Sequence, residues 1–168
     1  MKTLILVRHA KSSWDSPTMK DFDRPLNERG QKEAQLMAQR LLDEKVNLDA
    51  FVTSTAQRAF TTAEYFHQAY KAQPEQLVLK PELYHASVKA FYDVIATLDS
   101  SLKNVAIFSH NPGITEMVNS LAVANVDDMP TCAIFGVIAD VKNWEEFAAA
   151  EKRFLLFDYP KKVKPADL

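Results

Sequence analysis

The chain has 168 residues, 47% of them hydrophobic and 25% charged, and a formal charge of −2. This is the make-up of one ordinary globular domain with material for a sizeable core. The near-balanced charge argues against nucleic-acid binding driven by phosphate neutralisation. The single cysteine, Cys132, excludes an internal disulfide and a cysteine metal cluster, and no apolar stretch has the length of a membrane span.

Residues 3–7, Thr3-Leu4-Ile5-Leu6-Val7, are a nearly unbroken apolar run, the pattern of a strand buried on both faces. Arg8 ends the run before it reaches the length of a signal-peptide core, so a strand and a cytoplasmic location are expected. The strand closes in Arg8-His9, and ligands of open α/β sheets sit beyond the carboxyl ends of strands. Residues 12–24 carry no periodicity and read as a long loop at the mouth of a site. Asn27 is suited to cap a helix with Gly30 in its first turn, and Ala34, Leu36, Met37, Leu41, Leu42 and Val46 form its apolar stripe.

Residues 50–54 read as a second strand and 55–70 as a helix with Ala59, Phe60, Ala63, Phe66 and Tyr70 on one face. Residues 77–79 form a short strand stopped by Pro81. Ser87 caps a helix running to about residue 98. Residues 104–109 form an interior strand ending at His110, with Pro112 in the first turn of the next helix. Residues 133–139 and 154–157 pair as a hairpin, with Trp144 to Phe147 in the turn, and residues 159–168 form a frayed, lysine-bearing tail. Strands alternating with helices predict a single α/β domain over residues 1–158. Its architecture is a three-layer α/β/α sandwich whose mostly parallel sheet carries an antiparallel C-terminal strand.

Three glycines, Gly30, Gly113 and Gly136, build neither a dinucleotide fingerprint nor a P-loop. No serine-hydrolase elbow and no zinc-binding helix motif is present. What remains is a convergence. Parallel strands would bring Arg8 and His9, Ser54 with Arg58 after it, and Ser109 with His110 to one edge of the sheet. Two guanidiniums and two imidazoles around one space suit a phosphoryl group, because arginine presents a planar fork of donors.

These residues resemble the histidine phosphatase superfamily, the phosphoglycerate mutase-like group. Leu6-Val7-Arg8-His9-Ala10-Lys11-Ser12 is similar to its Arg-His-Gly signature, with Ala10 in place of glycine. Leu26-Asn27-Glu28-Arg29-Gly30 resembles its helix start, and Ser54-Thr55-Ala56-Gln57-Arg58-Ala59 its second-arginine motif. Ser109-His110 matches its second histidine. The short length and the Arg-His-Ala-Lys-Ser-Ser-Trp form look most like the SixA-type phosphohistidine phosphatases. The resemblance implies a phosphoglycerate mutase-like fold and a phosphatase that needs no metal or other cofactor. His9 would be the nucleophile, Arg8, Arg58 and His110 would hold phosphoryl oxygens, and Ser12, Ser54 and His85 would line the substrate site.

Two departures bear on the substrate. The acidic residue that protonates the leaving oxygen in relatives falls at His85 or Asn111 here, leaving Glu82, Asp15 and Asp21 as nearby carboxyls. Asp15 also stands where relatives place a phosphate-contacting asparagine. An alkoxide leaving group benefits from a general acid, whereas a phosphoramidate leaves as imidazole with less help. The short segment between the second helix and the interior strand implies an open site. Phosphohistidine on a protein partner, such as a phosphorelay domain, is therefore the expected substrate. The alternatives are small phosphate esters or anhydrides, and a non-catalytic module that docks phosphoproteins; neither nucleic acid nor membrane is an expected partner.

Overall fold

The protein is described by a computed structural model covering residues 1–14 and 16–162. Among these, six strands and four α-helices follow one another as β1 (Lys2–Arg8), α1 (Glu28–Asp43), β2 (Ala50–Thr53), α2 (Gln57–Ala69), β3 (Leu77–Leu79), α3 (Val88–Ala96), β4 (Asn104–Ser109), α4 (Gly113–Ser120), β5 (Ile134–Ala139) and β6 (Lys152–Asp158). They form one sheet of order β3-β2-β4-β1-β5-β6. The β3-β2-β4-β1 portion is parallel, β5 runs against β1, and β6 runs against β5. The strand that opposes the parallel set is thus β5, and the second half of the hairpin points the same way as β1.

The apolar runs are continuous because both faces of the sheet are covered. Leu4 and Leu6 of β1, Val105 and Ile107 of β4, and Phe135 and Val137 of β5 pack with Phe91 of α3 and Met117 of α4. The alternate residues Ile5, Val7, Ala106, Phe108 and Ile134 pack with Ala34 and Met37 of α1 and Phe66 of α2. Each fully buried large side chain contributes about 1.5–3 kcal/mol. Asn27 caps α1 as expected, accepting from the Gly30 N–H at 2.8 Å. Leu36 faces solvent, and Ala38 takes its place in the stripe.

Trp144 and Phe147 lie in the connection between β5 and β6, as expected, and are buried there; the Trp144 indole donates to the Leu102 carbonyl at 2.8 Å and closes the core under α3. One expectation is corrected: the start of the tail is tied down. Arg40 of α1 donates to Asp158 at 2.6 Å and to the Lys162 carbonyl at 3.2 Å, and Lys162 Nζ donates to the Phe157 carbonyl at 2.6 Å. The remainder of the expected tail, residues 163–168, lies outside the described residues.

The parallel register decides where the site lies. Arg8 pairs with Ser109 and Thr53 with Phe108, so the carboxyl ends of β1, β4 and β2 are level. β1 leads through α1 to β2 on one side, and β4 leads through α4 to β5 on the other. The chain therefore parts between β4 and β1, the crevice where α/β sheets receive ligands.

Candidate active site

The backbone ladder continues past the strands and sets the site side chains. His9 N–H donates to the Ser109 carbonyl at 3.0 Å, Ser54 N–H to Phe108 at 3.0 Å, and Cys132 N–H to His9 at 3.0 Å. His9, Arg58 and His110 end up side by side and almost wholly buried at the base of a cleft of about 330 Å³. Arg8, Lys11, Ser12, Asp21, Arg24 and His85 also contribute to its walls.

The His9 ring is held in one tautomer. Its Nδ1 lies 2.7 Å from the Ala10 carbonyl, which can only accept, so Nδ1 carries the proton and Nε2 keeps its lone pair. Arg58 Nε donates toward that Nε2 at 3.3 Å. The Ala10 peptide is itself anchored: its N–H donates to Thr62 Oγ1 at 3.0 Å, and the Thr62 hydroxyl donates to the Arg58 carbonyl at 2.7 Å. One helical turn of α2 thus positions both the guanidinium and the imidazole. Burial first, then the charges of Arg58, Arg8 and Arg24, hold the His9 imidazolium down to about 3 against the favourable Ala10 contact.

His110 sits 5.2 Å from His9, ring centroid to ring centroid. Its Nε2 lies 2.7 Å from Ser54 Oγ, and that oxygen accepts from the Ala56 N–H at 3.3 Å. The Ser54 hydroxyl can give its proton to Nε2 while it accepts from Ala56, an arrangement in which the His110 proton sits on Nδ1. Nδ1 of His110 and Nε of Arg8 are buried polar atoms with no hydrogen-bond partner. Burial, followed by the proximity of His9 and Arg58, lowers the His110 imidazolium to about 2. An unpaired guanidinium N–H on a residue that lines a cationic cleft suits an anion with several acceptor oxygens.

Of the residues expected from sequence, Arg8, His9, Arg58, His110, Ser12 and His85 all meet at this cleft. Ser54 does not reach its wall: it is fully buried behind His110. Glu82 is exposed beside Ala90 and Asp93, in a separate depression, and cannot protonate a group held at His9. Asn111 is turned to other tasks; its amide nitrogen donates to Asp128 at 2.6 Å and its oxygen accepts from Thr115 at 2.6 Å. Asp15 lies outside the described residues.

Asp21 has a larger place than its position in an aperiodic loop suggests. Its carboxylate accepts from Arg58 Nη2 at 3.0 Å, from the Tyr84 hydroxyl at 2.5 Å and from Arg24 Nε at 3.1 Å. Burial opposes its ionisation, but the Tyr84 hydroxyl and the two guanidiniums outweigh it and bring the carboxyl to about 2. Tyr84 and Arg24 carried no motif signal in the sequence. The Tyr84 segment is fixed from β4, where the Ser109 hydroxyl donates to the Leu83 carbonyl at 2.6 Å. Gly30 explains the motif at the start of α1: a Cβ there would stand 2.0 Å from the Lys11 carbonyl. The loop that follows His9 can therefore lie directly on the helix.

Comparison with known proteins gives the chain a family and a fold. A sequence model of the histidine phosphatase superfamily (branch 1) matches residues 4–88. The chain superposes on the structure of a SixA phosphohistidine phosphatase candidate from Agrobacterium tumefaciens with a TM-score of 0.78 and 25% identity, covering 95% of this chain and 99% of that one. It superposes equally on the protein histidine phosphatase SixA complexed with tungstate, at a TM-score of 0.78 and 24% identity over 94% of this chain and 97% of that one. Phosphoserine phosphatase 1 of Hydrogenobacter thermophilus is 43% identical over 65 residues, which are 38% of this chain and 30% of that protein.

Proposed function

The chain belongs to the histidine phosphatase superfamily, branch 1, and is a phosphatase; from this we propose that His9 is its nucleophile and that phosphohistidine on a protein is its preferred substrate. The observation that carries the first part is the His9 ring, tethered at Nδ1 and offering an unprotonated Nε2 toward Arg58. Attack requires a neutral imidazole, and the buried, cationic surroundings favour one at neutral pH.

In the proposed reaction a bond forms from His9 Nε2 to phosphorus while the bond from phosphorus to the leaving nitrogen breaks. The departing imidazole takes a proton from solvent. Arg8, Arg58 and Nδ1 of His110 supply donors to the equatorial oxygens, where charge is spread in the transition state. Water then attacks the phosphorus on His9, releasing inorganic phosphate and restoring the neutral ring. Ser54 acts behind His110, holding its tautomer, rather than on the substrate.

The substrate preference is supported by what surrounds the leaving group. Glu82 lies outside the cleft, Asn111 is engaged by Asp128 and Thr115, and Asp21 is held ionised by its partners, so no protonated carboxyl lines the cleft among the described residues. Such a site suits a leaving group that departs without strong acid assistance. The similarity to a phosphoserine phosphatase favours a second reading, a small phosphate ester. Rates on a phosphohistidine-bearing protein and on phosphoserine and sugar phosphates decide between them. Faster turnover of the phosphohistidine protein supports the first reading; faster turnover of the esters replaces it with the second.

A further inference from the structure

The cleft is lined by four cations, Arg8, Lys11, Arg24 and Arg58, and one bonded anion, Asp21. Arg24 gives Nε and Nη2 to Asp21 Oδ1, each at 3.1 Å, gives Nη1 to Ser12 at 3.0 Å, and lies 4.4 Å from the centre of the Trp14 ring. Arg58 gives Nη1 to the Asp21 carbonyl at 2.7 Å and Nη2 to its carboxylate at 3.0 Å. The outward forks of both guanidiniums are therefore taken by one residue. Arg8 is directed inward, its Nη1 on the Met129 carbonyl at 2.8 Å. Lys11, exposed at the rim, adds a further positive charge.

A phosphoryl group seated against His9 has its leaving group on the opposite side of phosphorus, toward the mouth of the cleft. The leaving group then meets the Asp21 carboxylate and two arginines already paired to it. For a carboxylate or second phosphate on the substrate, that pairing weakens the attraction those cations would otherwise exert. A neutral or protonated imidazole does not depend on that attraction.

We propose that Asp21 is a specificity-determining residue that selects leaving groups without negative charge, by occupying Arg24 and the outer edge of Arg58. This inference deepens the proposed function and rests on it: it names the substrates as phosphoramidates and phosphate monoesters of uncharged alcohols, and excludes phosphorylated hydroxy acids such as phosphoglycolate.

The test compares kcat/KM for 1-phosphoimidazole and for phosphoglycolate, whose leaving group carries a carboxylate and no ammonium, in wild-type protein, Asp21→Asn and Tyr84→Phe. Asp21→Asn keeps the size of the side chain and removes its charge. It should shift the ratio toward phosphoglycolate on the order of tenfold, as expected for one unit charge about 4 Å away that water still screens. Tyr84→Phe removes a hydrogen bond to Asp21 but leaves the charge, and should hold the ratio near the wild-type value. An unmoved ratio in Asp21→Asn overturns the inference, as does an equal shift in Tyr84→Phe. Wild-type protein that turns over neither compound overturns the proposed function instead.

Discussion

Arg58 Nε donates toward Nε2 of His9 at 3.3 Å, so the guanidinium addresses the lone pair that would attack phosphorus. The same arginine is fixed at its far end by Asp21, and at its backbone by Thr62. Arg58→Ala is expected to lower kcat by about 10²–10³, the usual cost of removing one preorganised donor, and to weaken inhibition by vanadate. Steady-state kinetics with vanadate as competitor measures both. Arg58→Lys restores a charge but not the fork, and should recover only a small part of the loss.

His9 and His110 share a consequence for stability. Their folded values, about 3 and about 2, lie below the ordinary 6.5. Below that ordinary value the unfolded chain binds protons that the folded chain refuses, so stability is fully present above it and is lost as pH falls. Each such histidine contributes a slope of about 1.4 kcal/mol per pH unit in that window. Denaturant unfolding at pH 6 and pH 5 should show the loss, and His9→Asn should remove about half of the histidine part.

The same depressed value bears on activity. His9 needs no deprotonation between pH 7 and pH 5, so its ring should stay neutral and keep the proton on Nδ1 throughout that range. Imidazole NMR of the free protein follows this directly. A His9 titration near its ordinary value would contradict the burial argument.

Ser54→Ala removes the hydroxyl that faces His110 at 2.7 Å and leaves a buried ring nitrogen unpaired. The expected cost is about 1–3 kcal/mol of stability. If Ser54 fixes the tautomer, kcat falls by more than KM rises, and Ser54→Thr, which keeps the hydroxyl, recovers part of the rate. Single-turnover measurements on the three proteins separate these effects.

Gly30→Ala tests the contact between α1 and the loop after His9. The added methyl would sit 2.0 Å from the Lys11 carbonyl, and backbone cannot yield as a side-chain tip can. A loss of about 1–3 kcal/mol is expected, the range for overpacking, accompanied by lower kcat because the displaced loop carries Ala10 and Lys11. Gln31→Ala, one position along on the exposed side, should do neither.

The parallel sheet and the ends of β1, β2 and β4 were legible because each is a continuous apolar run closing in a polar residue. The motifs around Arg8, Arg58 and His110 then followed from their order along the chain. Ser54 was misplaced because a serine at a strand end reads alike whether it faces substrate or the back of a histidine; only the 2.7 Å contact separates them. The weight of Asp21 was hidden because its partners Arg24, Arg58 and Tyr84 come from three different segments, and no local period links them. The burial of Trp144 and Phe147 was not legible because a single 3-10 turn (Trp144–Glu146) leaves no repeating pattern.

The central claim is that His9 Nε2 takes the phosphoryl group, and rapid quenching after a pulse of ³²P-labelled phosphohistidine protein tests it most directly. The account predicts a transient label on the wild-type chain that is stable in alkali, lost in acid, located at His9, and absent together with turnover in His9→Ala. Turnover retained in His9→Ala, or a label found on another residue, would contradict it.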